Sequence, residues 1–144
     1  MYRNSEGYRD PTAGAAMSRV MKEYRQKQKQ RYADRRRLKV YVASRYAGDI
    51  PANTAAAVRC CRQVIEEGRM PIASHLLYPQ MLNDSDSKER ELGMDFGLAL
   101  LACCDEVWVF GKPSPGMEQE IAEAKRLNKP IQYREVPVWD SRES

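Results

Sequence analysis

This chain lacks most of the features that would assign its class at a glance. No apolar run approaches the roughly 20 residues that a bilayer helix needs, so a membrane-spanning protein is not expected. The N-terminus begins polar and charged, without the apolar core of a secretory leader, and a cytoplasmic location is the expectation. Histidine occurs once. The four cysteines stand as two vicinal pairs, Cys60-Cys61 and Cys103-Cys104, and no C-x-x-C is present. Neighbouring cysteines on a helix point in different directions, which disfavours a disulfide between them. Both pairs fall in helical apolar patterns and read as buried, reduced thiols. No ligand spacing supports zinc held by these thiols and His75. Neither a metal nor a cofactor is expected, and there is no internal repeat.

The length of 144 residues suits one domain with an apolar core. The net charge of +4 is unevenly spread. Residues 1–37 carry eleven Lys/Arg against four acids, and the remainder carries thirteen against sixteen. The basic character belongs to an N-terminal extension, and the core is mildly acidic with no evident duplex-binding face. Met1 to Ala16 is rich in Gly, Pro, Ser and Asn and reads as disordered. Met17 to Arg37 fits a helix with one weak apolar stripe. Residues 136–144 read as a C-terminal tail.

From residue 38 to 135 the pattern alternates strand and helix. Strands are expected at Leu38–Ala43, Met70–Ser74, Val107–Phe110 and Pro130–Tyr133. A helix capped by Asn53 or Thr54 runs to Glu67 with Val58, Cys61 and Ile65 inward. His75 to Ser87 is a long loop. A helix over Lys88–Cys104 turns Leu92, Phe96, Ala99, Leu100 and Cys103 inward, leaving Met94, Leu98 and Leu101 over. A last helix spans Gly116–Leu127. This order implies a flavodoxin-like three-layer α/β sandwich with a parallel sheet of four to five strands, order 2-1-3-4. Ligands in such sheets bind at the carboxyl ends of the strands.

The most informative segment runs from Cys104 to Ala124. A buried strand ends at Gly111, Ser114 can cap the next helix, Pro115 suits its first position, and Gly116 lets a ligand approach the backbone. Free N–H groups at that helix start suit an anion or sugar-phosphate. Glu120 follows one turn later.

The pattern Ser114-x-Gly116-x-x-x-Glu120 after an apolar strand resembles the signature of nucleoside 2-deoxyribosyltransferase-like proteins. That superfamily includes deoxynucleoside 5'-monophosphate N-glycosidases and many short phage and bacterial proteins. Val40 to Gly48 resembles its first strand and loop, and Pro71–Gln80 with Glu89–Met94 resembles the phage branch. The resemblance implies that Glu120 attacks the anomeric carbon and displaces the base, and that Tyr41 hydrogen-bonds this nucleophile. It implies that Ser44, Arg45 and Gly48 hold a ribose 5'-substituent, and that Ser114, Gly116 and the adjacent Met117 hold the ligand's 5' end. Serine where transferases of free nucleosides carry an aspartate tilts the expectation towards a monophosphate. An acid for the departing base belongs on the helix before strand three. Counted back from Asp105 its place falls on Gly97, and Asp95 lies two residues earlier. His75, Gln80 and Arg90 are candidates to replace that acid or to read the base. A homodimer or higher oligomer is implied as well. Three functions remain open: an N-glycosidase or deoxyribosyltransferase, a catalytically inactive nucleotide-binding or sensing module, and an interaction protein working through the basic extension, with nucleic acid as one partner.

Overall fold

The computed structural model describes residues 11–138. The chain divides into two compact units, residues 1–37 and 38–144. In the first, Pro11–Arg35 forms one helix, α1. Proline is tolerated at a helix start and Ala13, Ala15 and Ala16 are strong helix formers, so helix replaces the disorder expected over 11–16; residues 1–10 lie outside the described residues. Met17, Val20, Met21, Tyr24 and Tyr32 are all exposed.

The second unit alternates β1 (Lys39–Ala43), α2 (Ile50–Glu66), β2 (Met70–Ile72), two single 3-10 turns (Ser74–Leu76 and Tyr78–Gln80), α3 (Ser87–Ala102), β3 (Glu106–Phe110), α4 (Pro115–Arg126) and β4 (Ile131–Arg134). The four strands form one parallel sheet in the order β2-β1-β3-β4, the flavodoxin-like arrangement expected. Each crossover is a helix, as parallel strands require. The order reverses at β1 and β3, which pair from Val40 with Glu106 to Ala43 with Val109. Their carboxyl ends therefore open a crevice between diverging loops.

Alternation along the strands sends side chains to two separate cores. One face carries Tyr41, Ala43, Val107 and Val109 against Leu101 and Cys104 and against Met117, Ile121 and Ala124 of α4. The other carries Val40, Val42, Trp108 and Phe110 against Cys60 and Val64 of α2. Over Trp108 the cover is polar. The Arg134 guanidinium lies 3.7 Å from its ring centroid and is bonded to the Glu67 carboxylate; Arg69 holds Glu106 at 3.1 Å. Gln132 and the Trp108 ring N–H donate to the other oxygen of Glu106. Val136 packs against this second core, and the Pro137 carbonyl accepts a 2.7 Å bond from Arg59. Residues 139–144 of the expected tail lie outside the described residues.

Two expectations about helix phase are corrected. In α2 the buried residues are Ala57, Cys60 and Val64, while Val58 and Ile65 are exposed. In α3 they are Gly97 and Leu101, while Leu92, Phe96, Ala99 and Cys103 are exposed. One residue turns a helix by about 100°, and the sheet accepted the side bearing the smaller residues, which permits closer approach. Cys103 is consequently not a buried thiol. The α2 cap is also Asp49, whose carboxylate accepts from Ala52 N–H at 3.2 Å, with Pro51 in the first turn. Asn53 instead donates to the carbonyls of Tyr46 and Ala47, tying down the β1–α2 loop.

Candidate functional site

Four connections converge on a cavity of about 350 Å³ at the carboxyl edge of the sheet. β1 supplies Tyr41 and its loop Ser44, Tyr46 and Ala47; the segment after β2 supplies Ser74, His75 and Tyr78; α3 supplies Glu89, Arg90, Gly93, Met94 and Gly97; and the β3–α4 turn supplies Ser114, Gly116, Met117 and Glu120. The α4 start is built as its sequence suggests. The Ser114 hydroxyl accepts from Met117 N–H at 3.3 Å, and Pro115 sits in the first turn.

Glu120 lies one turn into α4 and is only 2 % exposed. Burial pushes its carboxyl up to about 7, against which a hydrogen-bonding interaction with Tyr41 works. Its Oε2 has no hydrogen-bond partner. The Tyr41 phenol is also buried, and burial, reinforced by Glu120, pushes its pKa well above the usual tyrosine value. Its short hydrogen bond is to the Ser74 hydroxyl, 2.8 Å away. His75 stacks on Tyr46 with ring centroids 5.4 Å apart and planes 22° from parallel. Burial lowers the His75 pKa, the Ser44 backbone carbonyl opposing, so the ring is neutral near pH 7. Four buried side-chain polar atoms among the described residues lack a hydrogen-bond partner. Three of them, Ser44 Oγ, His75 Nε2 and Glu120 Oε2, belong to residues lining this cavity. Buried polar groups without partners are costly in a folded core, and three of the four among the described residues gather at this one cavity.

Of the residues selected from sequence, the cavity gathers Tyr41, Ser44, His75, Arg90, Ser114, Gly116, Met117 and Glu120. It leaves out Arg45, Gly48, Gln80 and Asp95. Arg45 follows Ser44 and is exposed where Ser44 is buried. Gly48 shapes the loop, with a φ of +104° that L side chains rarely adopt. Gln80 donates to the Leu76 carbonyl at 2.7 Å. Asp95 is exposed, two residues and so about 200° around α3 from Gly97, which does line the cavity. Ser74, Tyr46, Tyr78, Asp84, Glu89 and Gly97 were not singled out as ligand contacts. On α3, Arg90, Gly93 or Met94 and Gly97 share one face at helical spacing, a signal available in the sequence. No group of three His, Cys, Asp or Glu side chains suited to a metal ion occurs among the described residues, and none of their helices is long and apolar enough to cross a membrane.

A parallel sheet with helices on both faces, opening at the switch between β1 and β3 onto a buried carboxyl, defines the class: a flavodoxin-like α/β domain with a crevice at its carboxyl edge. The chain belongs to the family described as a domain of unknown function, DUF7768, which matches residues 38–134. In fold it is similar to the 2-deoxyribosyltransferase from the psychrotolerant bacterium Bacillus psychrosaccharolyticus. The two share 12 % identity at a TM-score of 0.57, over 70 % of this chain and 74 % of that one. No curated protein sequence matches the chain.

Proposed function

We propose that this protein is a nucleoside-processing N-glycosidase or deoxyribosyltransferase acting on a deoxynucleoside monophosphate, with Glu120 as nucleophile. The observation that carries the proposal is a carboxyl buried at the edge of a ligand-sized cavity, with one oxygen unpartnered and a tyrosine hydroxyl beside it. A Glu120 oxygen attacks C1' as the C1'–N bond breaks, and the base leaves with the bonding electrons and takes up a proton. Water or a second base then attacks C1' and frees the carboxylate. The Tyr46–His75 pair and Tyr78 offer flat surfaces for a base. Gly116 at the α4 start and the Arg90 guanidinium suit a 5'-phosphate. Incubating the protein with a panel of deoxynucleoside monophosphates should release free base, and Ser114→Asp should weaken binding of the phosphorylated ligand selectively. No base from any member of the panel would sink the enzymatic reading.

A second reading, a nucleotide-binding module without turnover, is favoured by one observation: Gly97 stands where the resemblance places the acid for the departing base. Nucleotide binding without base release is its signature.

We further propose a homodimer built on α3. Leu92, Phe96, Ala99 and Cys103 are exposed at 4-3-4 spacing, the seam of a helix pair. In an antiparallel two-fold pairing, the large Leu92 and Phe96 meet the small Cys103 and Ala99 of a second copy. Light scattering should give a dimer mass that falls to the monomer in Phe96→Glu.

A further inference from the structure

We propose that Ser74 is a positioning residue: its hydroxyl donates to the Tyr41 phenol oxygen and so aims the phenol's single proton at Glu120, in a space that the glycine at position 97 leaves open. The inference rests on the reading of Glu120 as nucleophile and extends it to residues that no comparison assigns.

The argument is a proton count. Tyr41 and Ser74 are both buried, with oxygens 2.8 Å apart, so one of them donates to the other. The phenol's other hydrogen-bonding neighbour is the Glu120 carboxyl. An ionised carboxylate only accepts. Were the phenol to give its proton to Ser74, its lone pairs would face the Glu120 charge with no proton between them. With Glu120 ionised, the form in which it attacks, the arrangement that satisfies all three groups is Ser74 donating to Tyr41 and Tyr41 donating to Glu120. Ser74 is well placed to hold this direction. It opens the 3-10 turn after β2, and its own carbonyl is engaged by Leu77 N–H at 3.1 Å, so its backbone is anchored independently of the hydroxyl.

Gly97 completes the device. Glycine inside a helix is unfavourable, so a packing reason is expected for it. A Cβ at this position would lie 3.2 Å from Ser74 Oγ and 3.3 Å from the Tyr41 oxygen, wedged against both ends of their hydrogen bond. The position where the resemblance places an acid is thus filled from the other side, by the hydroxyl pair. A longer side chain there would have to displace the pair that orients the nucleophile. The proton for the departing base then comes from another group or from solvent.

The test reads Glu120 directly. The titratable and charged groups lining the cavity with it are Tyr41 on β1, Tyr46 after it, His75 and Tyr78 after β2, and Asp84, Glu89 and Arg90 towards α3, and Cys104 acts on Tyr41 from before β3. Carboxyl carbon NMR of the full chain, labelled at glutamate and assigned with Glu120→Gln, follows its titration in wild type, Ser74→Ala, Tyr41→Phe and the double variant. The wild-type midpoint is expected at about 7. Ser74→Ala should raise it by about half a pH unit or more, since the carboxylate loses an oriented donor. In the Tyr41→Phe background the same substitution should add nothing. Gly97→Ala should shift the midpoint in the same direction by less, again only when Tyr41 is present. Where base release is measurable, Ser74→Ala should lower kcat about three- to tenfold, the reach of one hydrogen bond, with KM little changed. A Ser74→Ala midpoint within about 0.2 of wild type, or a shift that persists without the Tyr41 hydroxyl, overturns the inference. The titration decides this whether or not base is released, so failure of the glycosidase reading and failure of the Ser74 assignment are distinguishable. Should Ser74→Ala not fold, Gly97→Ala with and without Tyr41→Phe poses the same question.

Discussion

Glu120 and Glu67 serve opposite faces of one sheet and meet opposite surroundings. Glu67 caps the end of α2, where the Arg134 guanidinium grips both its oxygens and lies over the Trp108 ring; hydrogen bonds from Arg134, then its charge, hold the Glu67 carboxyl below the usual range. Around it Arg69, Glu106 and Gln132 satisfy one another. Among the described residues no cation is bonded to Glu120, which keeps one oxygen unpartnered and is pushed up to about 7 by burial. Charge that is paired serves the fold. Charge that is stripped of water and left unpaired stores free energy that a ligand can release.

The largest expected effect comes from removing the unpaired member. Glu120→Gln should abolish base release by several orders of magnitude, with nucleotide affinity changed only a few-fold. The same substitution should make the protein more stable at pH 8. The folded-state value of about 7 lies above the ordinary 4.5, so between these values the folded state binds the extra proton. Stability therefore falls as pH rises from about 4.5 to about 7, by on the order of 3 kcal/mol. Glutamine escapes that loss. Urea melts at pH 5 and pH 8 should show the gain at the higher pH only; equal stability of variant and wild type at pH 8 would break the contrast between the two faces.

A pH profile sharpens it further. With the ionised Glu120 as attacking group, kcat/KM should rise about tenfold per unit below pH 7 and level off above it. A flat profile from pH 5.5 to 8.5 would be incompatible with a carboxyl raised by burial.

On the paired face, Arg134→Ala should cost about 1–2 kcal/mol, because the side chain covers Trp108 as well as holding Glu67. Base release at 25 °C should be unchanged. Glu67→Gln should be the smallest effect, under about 1 kcal/mol for an ion pair open to solvent, and should shrink with added salt. Its stabilisation is present above the ordinary carboxylate value and lost as pH falls through the depressed one. The pH dependence thus runs opposite to that of Glu120, and melts of both variants across pH 3–8 would expose a failure of either sign.

The parts of the site legible in the sequence are those coded locally. Ser114, Pro115 and Gly116 cap and open a helix through contacts within four residues, and Glu120 follows by helix geometry. Ser74 was invisible by the same logic: it meets Tyr41 across 33 residues of chain, and nothing near it in sequence marks the encounter. Asp95 illustrates the same limit, since two residues on a helix separate a cavity wall from solvent.

By itself, then, the sequence determined the order of strands and helices, the parallel topology and the place of the nucleophile candidate, because turn chemistry, caps and hydrophobic runs act over a few residues. The tertiary structure alone decided which stripe of α2 and α3 is buried. Both helices carry apolar side chains on more than one face, so periodicity admits neighbouring phases, and the sheet selects the one with the small residues Ala57 and Gly97 beneath it. It also decided that Glu120 is buried without a cation and Glu67 paired with one, because charge state follows from what surrounds a carboxyl in space rather than along the chain.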